Sequence, residues 1–125
     1  MTPQTQTPPE GSVLIELPWP DSKLAGHHNV HWRVLQPVKA KHKTWAKFAA
    51  LAADITVPET GDIRVSATFY PPNKRGDRVN YPILAKPYWD GIAEALGVND
   101  RRFLPEFRFS DPDSNNPRVV LEIGR

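Results

Sequence analysis

A chain of 125 residues accommodates one domain around one hydrophobic core. It contains no cysteine, which excludes disulfides and a thiolate zinc site, and no apolar run near the ~20 residues of a membrane helix, so a soluble, cytoplasmic protein is expected. Sixteen Lys and Arg against fourteen Asp and Glu leave a net charge of only +2, but the cations gather in 39–47, 74–78 and 101–102. Such patches point to a polyanionic partner, with ordinary solvated charge as the plain alternative.

Residues 1–11 (MTPQTQTPPEG) are polar, rich in Pro and Thr, and lack the apolar stretch of a signal peptide. They read as a flexible tail ahead of a single domain over 12–125. Val13, Ile15 and Leu17 mark a first strand that Pro18 and Pro20 stop. A polar loop over 21–29 holds His27 and His28.

A helix is predicted over 37–53, with Pro37 in its first turn and KAKHKTWAKFAALAA supplying strong helix formers. Val38, Trp45, Phe48 and Ala52 form its apolar stripe, which assigns Trp45 and Phe48 to the core. Lys39, Lys43 and Lys47 recur every four residues on another face with no acid inside the helix to offset them. They form either a solvated face or a ridge that tracks phosphates.

Thr60-Gly61-Asp62 is a turn, and Ile63, Val65, Ala67 and Phe69 alternate along a half-buried strand that ends at Pro71-Pro72. After a loop over 73–80 and a turn over 81–85, a helix begins near Pro87 and closes at Gly97, burying Tyr88, Ile92, Ala95 and Leu96. Strands over 102–109 and 118–123, joined by SDPDSNNP, are expected to form a hairpin. The order βαβαββ predicts an α+β domain with two helices packed on a mixed sheet.

Two loops concentrate the chemistry. Lys74-Arg75-Gly76-Asp77-Arg78-Val79-Asn80 precedes the second helix, and Asn99-Asp100-Arg101-Arg102 follows it. Phosphodiester hydrolysis needs a Lewis acid on a phosphate oxygen, and Mg²⁺ accepts one or two carboxylates while keeping waters. Asp77 and Asp100 can supply these, with Lys74, Arg75, Arg78, Arg101 and Arg102 holding neighbouring phosphates. The plain alternative is that each Asp pairs with its adjacent Arg. Lys86 and Asp90 are one turn apart, which fits either an ordinary ion pair or a lysine aimed at the transferring phosphate. His27, His28 and His31 have no regular spacing and no cysteine support, so phosphate or sugar contacts and plain surface histidines are preferred to zinc. No GxxxxGK[ST], GxGxxG or GxSxG is present, so no nucleotide cofactor is expected.

Over about residues 12–124 the chain resembles the RusA family of Holliday junction resolvases, Mg²⁺-dependent endodeoxyribonucleases of phages and prophages. Leu17-Pro18-Trp19-Pro20 is similar to the family's LPWPP start, and His31-Trp32-Arg33 to its HWR segment. Asp77-Arg78-Val79-Asn80, Lys86, Asp90-Gly91-Ile92 and Asn99-Asp100 follow its D-x-D-N, K, D-x-L and D-D series. The resemblance implies that Asp77 and Asp100 are catalytic metal ligands, that Lys86 is the functional lysine, and that a homodimer nicks opposed strands of a four-way junction. Val79 and Asn99 stand where the family has aspartates, and three more residues separate Asn80 from Lys86. Two carboxylates remain, with Asn80 or Asn99 offering an amide oxygen to Mg²⁺. The expectation is therefore a resolvase of branched DNA. The alternatives are a junction-binding protein that does not cut and a small partner-binding domain with a merely solvated basic helix.

Overall fold

A computed structural model of the chain describes residues 12–25 and 31–124, so the expected tail and His27 and His28 lie outside the described residues. Four strands and two long helices form an α+β domain, with β1 (Val13–Pro18), α1 (Trp32–Ala53), β2 (Ile63–Tyr70), a one-turn α2 (Tyr81–Leu84), α3 (Lys86–Leu96), β3 (Phe103–Phe109) and β4 (Arg118–Ile123) in chain order. Among the described residues no helix is long and apolar enough to cross a membrane.

The sheet order is β1-β4-β2-β3, with β2 and β3 parallel and the other pairs antiparallel. The expected β3–β4 hairpin is therefore absent: β4 passes over β2 and inserts between β1 and β2. The reason lies in the two strands. Val119, Leu121 and Ile123 alternate as fully buried residues, which suits a strand flanked on both sides. Pro105 makes β3 an edge strand, since proline cannot donate to a ladder. Ser110 N–H donates to the Phe69 carbonyl, so the backbone groups of residues 104, 106 and 108 face β2, and Pro105 faces the free edge where no donor is needed.

Helices α1 and α3 cover one sheet face. Ile15, Leu17, Val65, Phe69, Leu121 and Ile123 meet Ala46, Ala50, Tyr88, Trp89 and Ile92 there. The helices cross closely because α3 carries Gly91. A Cβ at that position would collide with the Lys43 carbonyl oxygen and press on Ala46 Cβ and Lys47 N, each at 3.0 Å. Tyr88 ties this layer to the sheet end by donating its hydroxyl to the Pro18 carbonyl at 2.6 Å.

Helix α1 departs from expectation in two ways. It starts at Trp32, so Pro37 sits inside it rather than in its first turn, and the Arg33 carbonyl loses its usual N–H partner. The extra turn holds because His31 caps it: the Arg33 N–H donates to His31 Nδ1 at 3.1 Å. The buried face is also different. His42, Ala46 and Ala50 pack inward with Leu35, Val38, Ala49 and Ala53 beside them, while Trp45 and Phe48 are exposed and Ala52 faces solvent. Alanine wins the inner face because Gly91 brings α3 too near for an aromatic ring. Lys41 instead places its ammonium over the outward Trp45 ring, 5.2 Å from the centroid.

His42 is the buried polar residue of this core, 1 % exposed. Its Nε2 accepts the Asp21 N–H at 3.0 Å, so its proton resides on Nδ1, which donates to the Val38 carbonyl at 2.8 Å. That bond pins the short turn Ser22–Leu24 to α1.

Candidate active site and nucleic-acid groove

The densest set of interacting ionisable groups around a predicted site residue centres on Lys86, the first residue of α3. Its ammonium donates to Asp90 Oδ1 at 2.5 Å and to Asp100 Oδ2 at 3.1 Å. The Asp90 contact follows from helical spacing. The Asp100 contact follows from how α3 ends. Gly97 adopts a left-handed conformation at φ 67°, and Asn99 Oδ1 accepts the Arg101 N–H, which starts the short turn Asp100–Arg102 and returns the chain beside α3. Partial burial lowers the Lys86 pKa, but hydrogen bonds to Asp90 and then Asp100 outweigh it and leave the pKa raised.

Two carboxylates converging on one cation is a donor arrangement that Mg²⁺ also accepts. Their bound oxygens are no further apart than the two contacts laid end to end, and two oxygens on one Mg²⁺ at ~2.1 Å each stand within ~4 Å. A modest side-chain adjustment, with the Lys86 ammonium turned outward, closes that difference. Asp90 and Asp100 are 42 % and 44 % exposed, so waters can complete a shell. Among the described residues no set of three or more His, Asp or Glu side chains draws together as a metal cluster.

Asp77 does not join this group through any described contact. Its Oδ1 accepts the Val79 N–H at 3.0 Å and starts the short turn Arg78–Asn80. Asp77 and Asn80 instead border a hollow of about 180 Å³ with Trp19, Asn73 and Tyr81.

Next to Lys86 a groove of about 550 Å³ runs between the turn Ser22–Leu24, α1 and α3. Lys23, Lys39, Lys43 and Lys86 line it against a single carboxylate, Asp90. Lys39 and Lys43 were expected at such a surface. Lys23 was not, since nothing in the spacing of the 21–29 loop distinguishes it. The lysine ridge of α1 has an acid partner supplied by the other helix: Glu94 accepts from Lys47 at 2.8 Å and Lys43 at 2.9 Å. Hydrogen bonds from Lys47 first, then Lys43, hold the Glu94 carboxyl down at about 2.

The remaining predicted contacts divide. Lys74, Arg75, Arg78 and Arg101 are exposed and form no ion pair among the described residues. Arg102 turns inward, donating to the Gly61 carbonyl at 2.9 Å and the Pro58 carbonyl at 2.6 Å, so it braces a loop. His31 is the α1 cap and stacks on Trp32 at 5.8 Å. A further hollow, about 630 Å³, lies on the helix-free sheet face, where Arg64 and Arg108 alternate with Glu106 and Glu122 and give no dominant sign.

The chain matches no protein-family model. It is 33 % identical over 113 residues to an uncharacterised protein of Xylella fastidiosa (strain Temecula1 / ATCC 700964), across 87 % of this chain and 74 % of that one.

Proposed function

We propose that this chain, which belongs to the same family as that Xylella fastidiosa protein, is a Mg²⁺-dependent endodeoxyribonuclease that works on intracellular DNA and resolves four-way junctions or other branched DNA as a homodimer. The observation that carries the reading is the meeting of Asp90 and Asp100 on Lys86 at the mouth of a lysine-lined groove. A Mg²⁺ ion in that position supplies Lewis acidity to a phosphate oxygen and lowers the pKa of a water. Asp90 and Asp100 provide its hard oxygen ligands. Lys86 turns from the carboxylates to the phosphate and offsets charge gathering on its oxygens. Lys23, Lys39 and Lys43 track the flanking backbone, and Lys74, Arg75, Arg78 and Arg101 extend that track at its edges. Asp77 and Asn80, the resemblance's first catalytic aspartate and its companion amide, act from the neighbouring loop.

In this reading a second copy of the chain joins at the free edge of β3. Phe107 and Phe109 are 39 % and 42 % exposed there, and the odd-numbered backbone groups face outward. A homodimer joined at this edge covers those rings and sets two groove mouths in one particle, as paired nicking requires.

The second reading is a junction-binding protein that does not cut. It is favoured by Val79, 77 % exposed at the position where the resemblance expects an aspartate. A labelled four-way junction separates the readings. Paired nicks that require Mg²⁺ support the nuclease. Tight, salt-sensitive binding without nicks at any Mg²⁺ or Mn²⁺ concentration supports the second reading. Equal affinity for junction and linear duplex contradicts both.

A further inference from the structure

We propose that the hollow beside Asp77 receives one unstacked nucleobase from the strand lying in the lysine groove. This rests on the DNA-cleaving reading above and adds where the strand parts from its stack.

The hollow, about 180 Å³, is smaller than the ~300 Å³ at which drug-sized pockets begin, so it suits one ring system and not a base pair. Its walls are apolar and aromatic. Trp19 and Tyr81 meet edge to face at 4.9 Å and 87°, with Leu84, Ala25 and Pro72 completing the lining. Tyr81 is held against the loop by Gly76, where a Cβ would stand 2.5 Å from the Tyr81 hydroxyl oxygen.

The rim carries the donors and acceptors that a base edge needs. Asn73 Oδ1 and Asp77 Oδ1 are taken by the backbone N–H groups of Arg75 and Val79. This leaves the Asn73 amide as a donor and the second Asp77 oxygen as an acceptor, while the Asn80 side chain makes no capping bond and offers both. The hollow also adjoins the groove. Ala25 lines both, so the Ser22–Leu24 turn forms the divide between them. A strand whose phosphates follow Lys23 and Lys39 passes over that divide, and Lys74, Arg75 and Arg78 on the opposite rim receive the next phosphates. Branched DNA favours the step, because bases at a branch point lose stacking at least cost.

The test places 2-aminopurine, which brightens on unstacking, at successive positions around a four-way junction, with Ca²⁺ replacing Mg²⁺. Binding is followed separately by anisotropy. The expected result is a several-fold rise at one position in each symmetry-related arm. Ser22→Leu, which fills the hollow from its exposed rim, abolishes the rise and weakens junction binding no further than an abasic site at that position weakens it in the wild type. An abasic site at the brightening position lowers wild-type affinity ~5- to 100-fold, as loss of one stacked base does. A junction bound normally with no brightening position overturns the inference and leaves the cleavage reading intact, as does a rise that survives in Ser22→Leu. A wild-type protein that shows no affinity for the junction overturns both.

Discussion

Asp21 and His42 are joined by one hydrogen bond, from the Asp21 backbone N–H to His42 Nε2 at 3.0 Å, and that bond exists only while the imidazole is neutral. Protonation would set a second N–H against the first. Burial, the largest influence on His42, lowers its pKa below the usual 6.5, so the folded state resists the proton that the unfolded chain accepts. The stability that His42 contributes is complete above 6.5 and falls as pH drops below it toward the folded value. The urea midpoint should therefore decline between pH 7.5 and 5.5 in the wild type, with a smaller slope in His42→Gln. Equal slopes in the two proteins would show that the His42 bond has no such role.

Gly91 sets how closely α3 approaches α1, because any Cβ there meets the Lys43 carbonyl and two further α1 atoms. Gly91→Ala should destabilise the fold by ~1–3 kcal/mol through overpacking, although alanine is the better helix former. Equilibrium denaturation measures this directly. A gain in stability, as helix propensity alone predicts, would contradict the packing described.

Glu94 holds both Lys43 and Lys47. Glu94→Gln should release the two lysines, tighten DNA binding, and steepen the slope of log K against log salt by up to ~2. Fluorescence anisotropy across a salt series reads both quantities. Within the protein the same pairing stabilises above the unfolded carboxylate pKa and is lost as pH falls from there toward about 2. An unchanged salt slope in Glu94→Gln would remove Lys43 and Lys47 from the DNA surface.

Phe107 is a half-covered ring on the free edge strand, against Trp89 at 5.9 Å and Phe69 at 6.3 Å. Phe107→Glu should shift sedimentation from dimer to monomer and abolish paired nicking, leaving single nicks at most. A dimer of unchanged strength would place the interface elsewhere.

Local periodicity made much of this fold legible. The alternation in β2 and the Gly97 stop follow from near neighbours in the chain, whereas the place of β4 between β1 and β2, and not beside β3, does not. What escaped depends on distant partners. The aromatic spacing of Trp45 and Phe48 looked like a core stripe, but the inner face of α1 is set by Gly91, more than forty residues away, and small residues took it. His42 attracted no notice because its two partners are backbone atoms, and backbone atoms leave no trace in composition. The same limit applies to the site. Lys86 and Asp90 are readable as one helical turn, while Asp100 reaches Lys86 only after the Gly97 reversal. The Lys43–Glu94 pair is likewise invisible to a count of charges within α1.

Asp90 and Asp100 are proposed to hold, together, the cation that cuts DNA. The most direct measurement is cleavage of a labelled four-way junction in Mg²⁺ by wild type, Asp90→Asn, Asp100→Asn and Asp77→Asn, with binding measured in parallel. Loss of a ligand that supports several kcal/mol of charge stabilisation should slow Asp90→Asn and Asp100→Asn by ~10²-fold or more, while junction affinity holds or rises. Asp90→Asn and Asp100→Asn proteins that cut at the wild-type rate would contradict it, whatever Asp77→Asn does.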